Sequence, residues 1–220
     1  MVSLLDIIGP VMVGPSSSHT AGACRIGLLT RALAGGTPEK AIIELHGSFA
    51  KTGEGHGTDR ALVGGLLGLE PDDERLRDAL ERAQQQKMQV EFRVVKLRGV
   101  HPNTARLTVE RQGQRVEVVG SSLGGGRIAV VEIDGLPVDL SGEYPTLVIV
   151  ARDQPGTLAA ITADLAAAGV NVATVRVSRN KPGGLALHLY ELDAAPQRQV
   201  LESLEKLAAV ETVRLLKQVS

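Results

Sequence analysis

Three short polar motifs carry the side chains best suited to chemistry: Gly14-Pro15-Ser16-Ser17-Ser18-His19-Thr20, Lys51-Thr52-Gly53-Glu54-Gly55-His56-Gly57-Thr58-Asp59, and His101-Pro102-Asn103-Thr104. Ser16, Ser17 and Ser18 precede a run in which Ile26, Leu29 and Leu33 share one helical face. Hydroxyls, unpaired backbone N–H groups and the positive end of a helix dipole would meet there, a setting that suits a carboxylate. Imidazole titrates near neutral pH and is the default general base. His56, between Gly55 and Gly57 in what reads as a loop, is the first candidate; His19, in the first turn of its helix, would orient a substrate or share the proton transfer. A capping contact is the alternative role for each. Lys51 could pair with a carboxylate, and His101 and Asn103, in a turn between strands, could add hydrogen bonds. His46 alternates with Glu44 and Ile42 on a strand face and reads as structural; His188 reads as a surface or interface residue. The Ser121–Gly126 stretch resembles a phosphate cradle but lacks a following Lys-Ser or Lys-Thr, so it reads as a bulge or loop that admits another backbone.

The elements that must hold these groups fall into two segments. The first has a helix after the serines closed by Gly35-Gly36, a strand over Lys40 to Phe49, a helix from Thr58 to Leu69, and a charged helix over Glu74 to Lys87. Strands follow at Gln89–Leu97, Ala105–Arg111, Arg115–Gly120 and Arg127–Ile133, with Gln112-Gly113 as a hairpin turn. This is an α+β domain over residues 1–140. A Gly- and Pro-punctuated linker leads to residues 145–220. There the patterns read strand Thr146–Ala151, helix Thr157–Ala168, strand Val170–Ser178, strand Leu185–Glu191, helix Ala195–Ala208 and strand Glu211–Lys217. That βαββαβ order predicts a ferredoxin-like fold with both helices on one face of an antiparallel sheet.

Composition narrows the function classes. The 24 Lys+Arg against 25 Asp+Glu leave a net charge of -1, which offers no field for nucleic acid or an anionic membrane. Aromatics at 2% give no stacking platform for single strands. Cys24 stands alone, so the chain has no internal disulfide and cannot by itself hold a cysteine-ligated iron–sulfur cluster or a structural zinc; it reads as a buried small residue. No apolar run approaches the roughly 20 residues of a membrane span, and Met1 to Gly14 lacks the basic start of a signal peptide. The expected location is cytoplasmic.

The motifs also carry resemblances. Asp153-Gln154-Pro155-Gly156-Thr157-Leu158, with Leu165 to Val172 after it, is similar to an ACT domain, the small regulatory module of amino-acid metabolism. The resemblance implies an amino-acid effector held between two modules by Asp153, Gln154, Gly156, Leu158 and Asn171, and hence a homodimer. Some serine-sensing ACT modules, such as that of phosphoglycerate dehydrogenase, place a His two residues before the position of Asp153, where this chain has Ala151. The three N-terminal motifs in order, with that tail, resemble the β subunit of bacterial iron–sulfur-dependent L-serine dehydratase, and the N-terminal domain resembles the allosteric substrate-binding domain of phosphoglycerate dehydrogenase.

This second resemblance implies that L-serine is converted to pyruvate and ammonia together with an α subunit that carries a four-iron four-sulfur cluster. His56 and His19 would be the acid/base pair, Ser16, Ser17, Ser18, Lys51, His101 and Asn103 would hold substrate, and an open iron of the partner's cluster would serve as Lewis acid for the departing hydroxyl. Two other readings stand beside it. One is a purely regulatory amino-acid-binding subunit of the same enzyme; the other is a stand-alone amino-acid sensor.

Overall fold

The computed structural model describes residues 11–219, so the leader reading of Met1 to Gly14 falls largely outside the described residues. The described chain divides into two compact units. One extends to Gly135 with a return over Asp139–Ser141, and the other comprises Gly142–Gln218 with Leu136–Val138.

In the first unit Ser16 caps a π-helical turn, Ser17–Gly22, that runs directly into helix α1, Ala23–Leu33. Strand β1 is Lys40–His46, helix α2 Gly47–His56, helix α3 Thr58–Leu67 and helix α4 Ala79–Gln85. Strands β2 (Gln89–Val95), β3 (Asn103–Arg111), β4 (Gln114–Gly124), β5 (Arg127–Ile133) and β6 (Leu136–Leu140) complete a six-stranded sheet in the order β2-β1-β3-β4-β5-β6. Only β1 and β2 are parallel among the registered pairs; Gln112 and Gly113, both at positive φ, close the β3–β4 hairpin as their sequence predicts. The core is aliphatic: Ile26, Leu29, Ile43, Leu62, Leu66 and Leu107 are fully or almost fully buried.

Several expectations are corrected. The strand assigned to Lys40–Phe49 ends at His46, because Gly47 turns the chain at φ 58 beneath Pro102, where a Cβ would lie 2.4 Å from the Pro102 carbonyl. What reads as a loop around His56 is helix α2, despite Gly47, Gly53 and Gly55; tertiary burial of Phe49 outweighs the local preference against helix. The single helix of Glu74–Lys87 is a 3-10 turn, Glu74–Asp78, followed by the shorter α4, with Asp73 accepting from the Arg75 N–H. Strand β4, read as ending at Gly120, continues through the buried Ser121 and Ser122 to Gly124, where its register slips in the bulge that the sequence suggests; β6 has no counterpart in the sequence reading.

The second unit has β7 (Thr146–Arg152), α5 (Thr157–Ala167), β8 (Val172–Arg179), β9 (Leu185–Leu192), α6 (Arg198–Leu204) and β10 (Val210–Leu216), paired antiparallel in the order β10-β7-β9-β8. Ile161, Leu165 and Leu204 pack on Leu147, Ile149, Tyr190, Leu192 and Val213. His188 shares the strand face of Tyr190 and Leu192 and is only 2% exposed, which corrects its surface assignment: the face opposite Leu185, Leu187 and Leu189 carries the core. Helix α6 is shorter than Ala195–Ala208 because Pro196 removes a backbone donor before it and the chain turns after Leu204. No described helix is long and apolar enough to cross a membrane.

One contact positions the N-terminal motifs. A Cβ on Gly65 of α3 would lie 2.1 Å from the Cys24 carbonyl of α1, and a Cβ on Gly27 would lie 2.3 Å from the Leu62 carbonyl. The two helices therefore touch backbone to backbone. Gly65→Ala is expected to destabilise the protein by about 3 kcal/mol, the upper end of overpacking costs, against the roughly 1 kcal/mol that alanine gains over glycine in a helix. Urea unfolding checks this; an unchanged midpoint would show that the helices separate freely.

Candidate active site

Helices α1 and α3 run in the same direction, since Gly27 meets Gly65 while the Thr20 hydroxyl, one end away, donates to the His56 carbonyl at 3.4 Å. Their N-termini consequently lie side by side, and the unpaired N–H groups and dipoles of both act at one place. Ser16 begins the first: its Oγ accepts from the His19 N–H at 3.3 Å, and its carbonyl accepts from the Thr20 N–H at 2.8 Å. Gly57, in the left-handed conformation, begins the second.

The rings of His19 and His56 come together, with centroids 5.0 Å apart, and Phe49 packs edge-on to His19 at 5.4 Å. Their hydrogen bonds distinguish them. His56 Nδ1–H donates to the Thr52 carbonyl one turn earlier at 2.9 Å. The proton of neutral His56 is thereby placed on Nδ1, which leaves the Nε2 lone pair with no hydrogen-bond partner among the described residues. His19 is held at both nitrogens: Nδ1 lies 3.3 Å from Ser16 Oγ, and Nε2 lies 3.2 Å from both Ser48 Oγ and Thr52 Oγ1. Thr52 Oγ1–H donates to the Ser48 carbonyl at 3.0 Å, so its oxygen can accept from His19 Nε2–H, and Nδ1 then accepts from the Ser16 hydroxyl.

Burial first, and the neighbouring His56 second, hold the His19 pKa below the usual imidazole value, with Ser48 opposing them. His56 opens on a cavity of about 240 Å³ that Gly14, Pro15, Thr20, Gly57, Arg60 and Arg77 also line. Two cations, two helix N-termini and one imidazole with a free lone pair make a place where an anionic small molecule can be held and deprotonated.

The structure gathers Ser16, His19 and His56. Ser17 and Ser18 lie in the same π-helical turn, with Ser18 Oγ 3.7 Å from a Cβ built on Gly124. Lys51 is exposed on α2. His101 is exposed and its Nδ1 accepts from the Asn103 N–H at 3.1 Å; its link to the histidine pair is Pro102, whose carbonyl accepts from the Ser48 N–H at 2.8 Å. His46 is structural, its Nδ1 accepting from the Leu97 N–H at 3.2 Å. Sequence reasoning missed Ser48, Thr52, Arg60 and Arg77. Ser48, Thr52 and His56 follow each other at spacing four, the signature of one helix face, but the intervening glycines disguise it.

Nothing among the described residues forms a metal-binding cluster, and the Cys24 thiol is a poor ligand: it is buried, donates to the Leu69 carbonyl at 3.1 Å, and burial pushes its pKa up. An iron–sulfur cluster does not fit these residues.

In the second unit the carried-over effector residues do not converge within one chain. Asp153 is held below the usual carboxylate range by the Gly183 N–H and Arg179, and with Gln154, Gly156 and Leu158 it lies at the start of α5. Asn171 lies past the other end of α5, about 16 Å along the helix, with its amide on Asp193 at 2.6 Å. Gln154 and Gly156 line a hollow of about 180 Å³, and Asn171 a separate one of about 450 Å³.

Residues 3–101 match the family described as Serine dehydratase beta chain, and residues 146–209 match the ACT domain. The chain is 45% identical over 205 residues to a probable L-serine dehydratase beta chain of Bacillus subtilis (strain 168), covering 93% of each. This chain belongs to the serine dehydratase beta-chain family. The L-serine dehydratase beta chain of Peptoniphilus asaccharolyticus is 38% identical over 193 residues, 87% of each chain. Among solved structures, the ACT domain from GTP pyrophosphokinase of Chlorobium tepidum covers 33% of this chain and 95% of its own at 19% identity, with a TM-score of 0.28. The histidine pair lies within the span matched to this family, and the ACT match falls within the second unit.

Because an unfolded imidazole titrates near 6.5 and that of native His19 lower, the unfolded state binds more protons as pH falls through that value. His19 thus contributes a loss of stability on acidification, complete once pH is below its native pKa. Proton NMR should show His19 titrating below 6.5 in the wild type and higher in His56→Gln, where the neighbouring charge is gone. An identical titration in both proteins would refute the coupling.

Proposed function

We propose that this chain is the β subunit of an L-serine dehydratase and supplies acid/base and substrate-binding groups to a site completed by an iron–sulfur α subunit. The observation that carries this reading is His56, whose Nε2 has no hydrogen-bond partner among the described residues, in the wall of a cavity beside two helix N-termini. The substrate carboxylate lies against the Ser16, Ser17 and Ser18 turn, with Lys51, His101 and Asn103 as further contacts. His56 Nε2 removes the α-proton and returns it to the departing β-hydroxyl, which leaves as water, and the resulting aminoacrylate tautomerises and takes up water to give pyruvate and ammonia. His19, locked at both nitrogens and depressed in pKa, stays neutral beside His56 and does not compete for that proton.

The four-iron four-sulfur cluster is assigned to the α subunit, because the buried, carbonyl-bound Cys24 offers it nothing here. The isolated chain is accordingly inactive. A single buried thiol suits the reducing cytoplasm as its location. Labour divides between residues 1–140, which act on substrate, and 145–220, the ACT domain, which binds an amino-acid effector. Asp153, Gln154, Gly156 and Leu158 of one module and Asn171 of another form that effector site, since one module holds them at opposite ends of α5; a homodimer follows.

Pyruvate formation by the pair reconstituted without oxygen is the test. Neither subunit alone should turn over, and His56→Gln should lower kcat by about 10²–10⁴-fold, the usual worth of a general base. A full rate in His56→Gln with a changed response to amino acids would instead make the chain a regulatory subunit. Asn171→Ala should abolish the amino-acid response of the pair while leaving its basal rate intact; an unchanged response places the effector elsewhere.

A further inference from the structure

Strand β2 ends the six-stranded sheet, and among the described residues nothing pairs with its outer edge. It lacks several of the usual safeguards of a free edge. Its seven residues, Gln89–Val95, stay in register with β1 from Lys40↔Gln89 to His46↔Val95 without a bulge, and they include no proline and no lysine. Val90, Phe92 and Val94 lie opposite Ala41, Ile43 and Leu45 and so share their face of the sheet, on which Ala41 and Ile43 are fully buried. On β2 that face is uncovered: Phe92 is 38% exposed and Val94 is 77% exposed. Such an edge is a template for another strand.

The charges select which strand. Glu91 and Arg93 occupy the other face and pair with each other at 2.7 Å along the strand, with more than half of each side chain exposed. Residues paired across an antiparallel ladder share a face. A two-fold axis through Glu91 would set Glu91 against its own copy, and one through Arg93 would set two arginines together; both are unfavourable. An axis through Phe92 sets each Glu91 opposite the other chain's Arg93, Phe92 against Phe92, and Val90 against Val94. We infer that β2 joins β2 of a second copy of this chain, antiparallel and centred on Phe92, fusing two six-stranded sheets and setting the exposed Phe92 and Val94 side chains against apolar neighbours across the join. This contact is separate from the pairing of ACT modules proposed above.

Directed crosslinking of the full-length chain reads this register whatever the ACT domains do. Paired Cα atoms stand about 4.5–5.5 Å apart across an antiparallel ladder, within the reach of a disulfide. Phe92→Cys should therefore give a covalent dimer on mild oxidation. Val94→Cys should not, although it is the more exposed position, because the two copies of residue 94 would be about 14 Å apart along the strands. The wild type, whose Cys24 is buried, is the blank. Adding Glu91→Arg or Arg93→Glu to Phe92→Cys should slow the crosslink about tenfold, and the double exchange Glu91→Arg with Arg93→Glu should restore it. Equal crosslinking at positions 92 and 94, failure of the double exchange to rescue, or loss of the dimer when the α subunit is added would each overturn the proposal, the last by giving the edge to the α subunit.

Discussion

The contact on which the geometry of the candidate site depends is backbone against backbone. Gly27 and Gly65 let α1 and α3 touch with no side chain between them, and any Cβ at either position would fall within 2.3 Å of a carbonyl oxygen of the other helix. Because the helices run in the same direction, that closeness is transmitted to their N-termini. Two helix N-termini, with the positive ends of their dipoles, then lie beside one small volume. A chain of nearly zero net charge thus acquires a local preference for an anion, reinforced at the cavity wall by Arg60 and Arg77.

Helix α2 brings a second imidazole to that corner. Pro102 supports its first turn, Phe49 anchors it in the core, and the spacing of Ser48, Thr52 and His56 stacks three polar groups on one face. Thr52 acts on both imidazoles. Its carbonyl fixes the tautomer of His56, and its hydroxyl takes one nitrogen of His19. Two histidines 5.0 Å apart are thereby made unequal, one with both nitrogens engaged and the other with a lone pair that no described residue engages. Mutual repulsion further disfavours charge on His19. Asymmetry of this kind is what lets one member of a pair act as base while its neighbour stays neutral.

The ACT domain follows another logic. Its sheet and helices bury an ordinary aliphatic core, and the loop residues at either end of α5 are tied internally, Asp153 to Arg179 and Asn171 to Asp193. A helix between them makes it geometrically impossible for one module to close both ends on one small ligand.

Periodicity alone determined a good deal of this protein. The βαββαβ order, the Gln112-Gly113 hairpin, the helix after the serines and its inward Ile26, Leu29 and Leu33 are all local signals, and each element forms where its own residues favour it. The histidine motifs were likewise visible, because imidazoles among serines and glycines have few structural uses. Tertiary structure decided what local preference opposes or ignores. Glycines at 47, 53 and 55 disguise α2, which exists because Phe49 is buried and Gly47 fits beneath Pro102. His188 is buried since its strand face, and not the leucine face, meets the helices. Which histidine keeps a free nitrogen depends on Ser16, Ser48 and Thr52, brought together from separate elements, and hydrogen bonds between elements leave no periodic trace in a sequence.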